Sequence, residues 1–307
     1  MIRRVGTGGG QGPGVGMIRM GSLEVTPAGS LSWALRDNGS EAVSLDKTMM
    51  PVPDGHPDVF DREWPLRVGD VDRTGRLRLD AGCRHIQDIG QDQLREMGFE
   101  DTHPLWIVRR TMVDLIRPIE FQDMLRMRRW CSGTSNRWCE MRVRIDGKRG
   151  RGLIESEAFW ININRETQMP SRMVDDFLTA LQKTTSVDRL RWKGYLKPGS
   201  RDDATEIHEF PVRGTDIDFF DHMNNSVYWS VVEDYLASHP ELLRWPMRTT
   251  IEHEAPVALG DKLEIVSHVH PPGSTDQFGP DLVDRTVTTL TYAVGDETKA
   301  VAALFSL

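Results

Sequence analysis

The chain has 307 residues, of which 38% are hydrophobic and 27% charged, and its formal net charge is −8. This composition fits a soluble globular protein of one large or two ordinary domains and argues against a general nucleic-acid binder. No apolar run approaches the roughly 20 residues a membrane span requires, and the three cysteines lack the spacing of a zinc site or a disulfide scaffold.

Residues 1–57 read as a flexible N-terminal extension. Met1 to Gly21 is glycine-rich without the apolar core of a secretory signal, so it reads as a tail or as sequence upstream of a start at Met17 or Met20. A cytoplasmic location is the expectation. Gly8-Gly9-Gly10 lacks the Gly-Lys-Ser/Thr ending of a phosphate loop, and no HExxH occurs, so no metal is expected.

A first half, 58–183, follows. Asp80 is placed to cap a helix through Met97, with Ile86, Ile89, Leu94 and Met97 on one broad face and Gly98 as its stop. Val108 to Ile116 and Met124 to Trp130 have strand character. Cys139, Met141, Val143 and Ile145 alternate with charged residues, Asp146-Gly147 offers a turn, and Leu153 to Asn162 runs back. Cys131 and Cys139 are expected to be buried free thiols, with a bridge between neighbouring strands left open.

Residues 184–204, with Pro198-Gly199, read as a linker or a connecting segment crossing the surface. The second half, 205–307, repeats the order: a short strand over Glu206 to Arg213, a helix ending near Ser238, then strands over Thr249 to Glu254, Lys262 to His270, Leu282 to Val294 and Lys299 to Leu307. Ala300 to Leu307 is nearly all apolar, as a strand buried on both faces would be. The fold class is therefore α+β: each half has one long helix and about five strands, whose sheet needs that helix to cover one face. Two tandem hotdog domains, pairing within one chain as two subunits would, satisfy this pattern and hide sheet edges.

Asp216 to Asn225 packs three acids, one histidine and two asparagines into ten positions at the entrance of the second helix. Burying such groups is costly unless they are paired or used. An Asx-rich loop with an Asn cap is the plain structural reading; the density of polar groups favours a functional site.

The chain resembles the acyl-acyl carrier protein thioesterases of plant and bacterial type. The resemblance covers about Phe60 to Leu307. It rests on His85-Ile-Gln-Asp-Ile89, Leu105 to Arg110 with Pro118, Ala158 to Asn164, Asp216-Ile-Asp218, His222-Met-Asn-Asn225, Tyr228, Glu233, Ile251 to Val257 and Gly260-Asp261. It implies a thiolester hydrolase without a cofactor, acting on fatty acyl-acyl carrier protein or acyl-CoA. It also implies a pseudo-dimer within one chain, with homodimerisation left open. The chain departs from the plant Asp-x-Asn-x-His pattern, because Phe220 stands at the asparagine, and Pro256 and Val257 replace a Glu-Cys pair.

Asp218 is the candidate general base, or the nucleophile in the alternative. His222 is a candidate to orient water or polarise the carbonyl, and Asn224 completes the catalytic set. Free N–H groups of the first helical turn offer an oxyanion hole. Asn225 is a candidate donor or cap, Tyr228 and Glu233 are candidates for substrate binding or buried structure, and Phe220 for a dry wall. The resemblance places the acyl chain mainly in the first half, near Ile86, Gln87 and Ile89. Met223, Trp229, Trp160 and Phe159 are further candidates for an acyl tunnel, with core packing as their ordinary alternative. A basic hairpin with Arg142, Arg144, Lys148, Arg149 and Arg151, beside Arg126, Arg128 and Arg129, is the candidate docking surface for an acidic carrier protein. The alternative function is a hotdog protein that binds acyl thioesters without cleaving them. A hydratase ranks last, since its Asp-x-Asn-x-x-His arrangement is missing.

Overall fold

The computed structural model describes residues 49–273, 278, 282 and 284–307. The extension expected over 1–57 therefore lies outside the described residues up to position 48.

Runs of alternating and β-branched residues form the strands β1 (Phe60–Pro65), β2 (Trp106–Arg117), β3 (Met124–Thr134), β4 (Trp138–Gly147) and β5 (Leu153–Asn162) in the first half. The second half supplies β6 (Glu206–Phe210), β7 (Met247–His253), β8 (Leu263–His270), β9 (Val287–Val294) and β10 (Glu297–Ser306). The helices are α1 (Leu79–Glu96), α2 (Asp175–Gln182) and α3 (Asn225–Ser238). All ten strands share one sheet in the order β1-β3-β4-β5-β2-β7-β10-β9-β8-β6. That order is the same read from either end, so the halves are related by a pseudo-twofold axis between β2 and β7.

The seam carries the repeat in its sequence. Arg110-Thr-Met-Val-Asp114 of β2 runs antiparallel to Arg248-Thr-Thr-Ile-Glu252 of β7, placing Arg110 opposite Glu252 and Asp114 opposite Arg248. Arg110 Nη1 lies 3.0 Å from Glu252 Oε1, and Arg248 binds Asp114 through Nε and Nη2, both at 2.6 Å. Buried pairs such as these fix register more than they add stability, since a slip would strand each charge.

One face of the sheet is covered by α1 and α3, whose Ile86, Ile89, Trp229, Val231 and Val232 share a core with Met127, Val143, Ile251 and Ala302. Burying a side chain such as Ile89 contributes about 1.5–3 kcal/mol. β10 is buried on both faces, as its apolar run predicts: Ala300, Ala302 and Leu304 face the helices, while Val301, Ala303 and Phe305 join a second cluster with Leu196. Leu196 belongs to the segment between the halves, which crosses the other face of the sheet. Its Trp192 packs against Phe159 with the rings tilted at 60°, and its Tyr195 and Leu196 N–H groups donate to Glu252 at 3.0 and 3.1 Å.

Several boundaries differ from expectation. α1 begins at Leu79 and Asp80 does not cap it; Asp80 pairs with Arg78, and the cap comes from Glu233 of α3. The strand expected from Leu282 begins at Val287, and the one expected to reach Arg213 ends at Phe210. α2 was not anticipated, although Asp175-Asp176 ahead of Phe177 and Leu181 has the form of an amphipathic turn. Cys131 and Cys139 lie on neighbouring strands but pair with Met141 and Thr134 respectively, and both are free and buried.

Candidate active site

The polar cluster forms a tight loop tied to itself. The Asp218 N–H donates to the His222 carbonyl at 2.9 Å, and the Asp221 N–H returns to the Asp218 carbonyl at 3.0 Å. Asp221 takes the left-handed conformation (φ 60°) at the turn, one that Asp tolerates better than most residues. The Met223 N–H docks the loop on the Val257 carbonyl at 2.8 Å, and the buried Asp216 is held by the backbone N–H and guanidinium of Arg213.

These constraints aim Asp218. Its Oδ1 accepts the Phe220 N–H at 2.9 Å, and its Oδ2 accepts the Asn224 amide at 3.2 Å. Asn224 is also the N-cap of α3: its Oδ1 accepts the N–H and the hydroxyl of Ser226 at 2.9 and 2.8 Å. The next N–H of the turn, Asn225, has no acceptor among the described residues. It is one of the donors that a helix N-terminus leaves free, at the positive end of the helix dipole.

Asp218, Phe220, Asn224 and Asn225 border a cavity of about 380 Å³ that extends into the first half. Its walls are Ile86, Gln87 and Leu94 of α1 with Met97 just past its end, Met141 and Val143 of β4, Ala158 and Trp160 of β5, and Phe177 and Leu181 of α2. Gln87 and Ile86 thus line it, whereas Ile89 is core. Phe219 and Phe220 pack together, tilted, with ring centroids 4.0 Å apart and form an apolar rim, Phe219 being 87% exposed. Cys139 also lines the cavity, but burial pushes its thiol far up, so it remains protonated and poorly nucleophilic.

The other candidates lie elsewhere. The His222 ring is exposed, makes no hydrogen bond or ion pair with the described residues and does not line the cavity; its backbone carbonyl holds Asp218. Tyr228 is buried against His253 and Tyr292, which pushes its phenol up. Glu233 is buried and takes Arg76 in a two-point pair at 3.0 and 2.6 Å. Of the proposed tunnel residues, Trp160 lines the cavity, Met223 and Trp229 are core, and Phe159 packs on the opposite face against Trp192. The basic hairpin is largely neutralised: Arg142 pairs with Glu157, Arg144 with Asp146 and Glu155, and Lys148 with Glu63. Arg129 is not at that surface but in the cavity wall.

A second copy of the loop stands in the first half. Asp72 accepts the Thr74 N–H as Asp218 accepts that of Phe220, the Asp72 N–H donates to the Arg76 carbonyl, and Gly75 (φ 88°) turns where Asp221 does. The spacing Arg67, Asp70, Asp72, Arg76 repeats as Arg213, Asp216, Asp218, His222. At this copy the position of His222 is filled by Arg76, which closes it with Glu233. Among the described residues no group of three or more His, Cys, Asp or Glu is placed to hold a metal ion.

The sequence matches the family model for the acyl-ACP thioesterase N-terminal domain over residues 57–181, and the C-terminal domain model over 199–307. It is 38% identical over 246 residues to an uncharacterised protein of Mycobacterium tuberculosis, covering 80% of this chain and 91% of that protein. Among solved structures, the 12:0-ACP thioesterase of Umbellularia californica superposes with a TM-score of 0.62 at 18% identity, covering 81% of this chain and 94% of that one. An acyl-ACP thioesterase of Bacteroides thetaiotaomicron gives 0.63 at 14% identity, covering 81% and 97%. At such identities the structural likeness speaks for the tandem hotdog fold alone.

Proposed function

The chain belongs to the acyl-ACP thioesterase family, and on that premise we propose that it hydrolyses fatty acyl thioesters of acyl carrier protein at the mouth of the cavity. The observation carrying this reading is that a fixed carboxylate, Asp218, and a free helix N–H, Asn225, border one largely apolar cavity.

The chemistry balances with water alone. Asp218 takes a proton from a water molecule as its oxygen attacks the thioester carbonyl carbon. The carbonyl oxygen becomes an oxyanion, stabilised by the Asn225 N–H and the positive end of α3, a contribution of about 3 kcal/mol per donor. Collapse breaks the C–S bond; the thiolate leaves with the proton Asp218 had taken, and the carboxylic acid remains. Asn224 orients the carboxylate while capping the helix that supplies the donor, so both groups keep a common geometry. His222 contributes its carbonyl to the loop, and its exposed ring is free to meet the carrier side of the substrate.

Asp218→Asn should lower kcat for thiol release from acyl-acyl carrier protein by roughly 100- to 10,000-fold while leaving the thermal transition in place. Undiminished thiol release in that variant would remove Asp218 as the base. Tight acyl-thioester binding without turnover in the unmodified protein would favour the non-hydrolytic alternative.

A further inference from the structure

The cavity wall formed by Met141, Val143, Ala158 and Trp160 is apolar, yet Arg129 also reaches it from β3, where it stands opposite Val143. Arg129 Nη1 donates to the Gln93 side-chain oxygen, and its Nε and Nη2 lie over Gly90, 3.6 Å from where a Cβ would stand. No carboxylate among the described residues pairs with it. Every other arginine of β3 and β4 has one: Arg126 with Asp61, Arg128 with Asp54 and Asp146, Arg142 with Glu157, and Arg144 with Asp146 and Glu155. Burial lowers the Arg129 pKa to about 10, so it still carries its charge near neutral pH.

A partly buried guanidinium in an apolar wall without a counter-charge is costly, and one amide partner does not neutralise it. An all-alkyl chain in this cavity would leave that cost in place and add its own desolvation of the donors. A planar fork of free N–H groups is suited to a carboxylate, which it binds with charge-assisted hydrogen bonds. The location fits the far part of a substrate. β4 and β5 lie between β3 and β2, so Arg129 stands three strand spacings, about 14 Å, from the strand bordering the second half that supplies Asp218.

We propose that Arg129, held by Gln93, selects acyl groups that carry a carboxylate remote from the thioester. The proposal rests on the thioesterase reading of the same cavity. Its test is thiol release from ω-carboxyalkanoyl-CoA and alkanoyl-CoA esters of matched length, with the full chain and with Arg129→Met and Arg129→Gln. The unmodified protein should prefer the ω-carboxy ester at one range of lengths, and the ratio of kcat/KM for the two esters should fall by about 10- to 100-fold in both variants. A preference for the plain alkanoyl ester, or an unchanged ratio in a folded variant, would overturn the proposal and leave the hydrolase reading standing. If neither ester is cleaved, calorimetric binding of the free dicarboxylate against the matched monocarboxylate decides. Selective dicarboxylate binding lost in Arg129→Met upholds the pocket while hydrolysis fails, and equal binding refutes the pocket itself.

Discussion

Glu233→Ala would test how the two halves are coupled. Glu233 stands on α3, 8% exposed, and both of its oxygens are engaged by the 4% exposed Arg76. Oε1 also accepts the N–H of Leu79, the first residue of α1, whose own N-cap residue Arg78 makes no capping bond and turns its side chain to Asp80 and the Val71 carbonyl. Removing the carboxylate strands a buried guanidinium, a loss of about 3–5 kcal/mol in comparable pairs. Asp72, 3.0 Å from Arg76 Nε, remains and keeps the loss near the lower end. Losing the helix cap adds about 1 kcal/mol. A total of about 4 kcal/mol corresponds to a fall in Tm of about 6–8 °C for a protein of this size. KM should rise as well, because α1 carries the cavity residues Ile86 and Gln87. Thermal unfolding of Glu233→Ala, Arg76→Met and the double variant Arg76→Met/Glu233→Leu measures the pair; the double variant should recover part of the loss, since it removes both members of the Arg76–Glu233 pair while Asp72, losing Arg76, keeps its bonds from the Thr74 N–H and hydroxyl. A Tm drop under about 3 °C in Glu233→Ala would refute the coupling. Glu233→Gln with unchanged Tm and a raised KM would instead assign Glu233 to substrate.

His253 gives the protein a pH dependence. Burial, with Arg109 nearby, pushes its pKa down to about 3. The unfolded histidine titrates near 6.5, so stability from this group is complete above that pH and is lost as pH falls toward 3; between pH 6.5 and 5 the loss is about 2 kcal/mol. Urea unfolding at pH 5 and 7 should show this slope and show it flattened in His253→Phe; equal slopes would contradict a neutral buried imidazole. On the surface, Arg117, Arg149 and Arg151 border a groove of about 570 Å³ with Trp245. Reversing charge at Arg149 and Arg151 should raise KM for an acyl carrier protein substrate and not for a short acyl thioester, and equal effects on both would rule out docking there.

Much of the fold was legible because its signals are local. Alternation in Cys139 to Ile145, the helical face of Ile86 and Ile89, and the Asp-Gly turn at Asp146 each depend on neighbours a few residues away. The polar density of Asp216 to Asn225 likewise marked the loop that borders the cavity, although the cap falls to Asn224 and not to Asn225, the candidate named for it. The duplicated Arg-x-x-Asp-x-Asp spacing at Arg67 and Arg213, and the Arg-Thr repeat at Arg110 and Arg248, were present in the sequence as well. They become meaningful only when the sheet order pairs the two halves.

What the sequence could not determine is where charge faces. Arg128 and Arg129 are adjacent, and alternation requires them to point to opposite sides of β3. Only the packing of α1 decides that the side of Arg129 is the cavity and the side of Arg128 meets Asp54 and Asp146. Glu233 is a similar case, being a mid-helix acid by sequence and a cap for another helix by tertiary contact. Periodicity and turn chemistry act over a few residues and so can be read along the chain. The partner of a buried charge comes from a strand or helix far away in sequence, chosen by register and helix packing, and that choice is made only in the folded state.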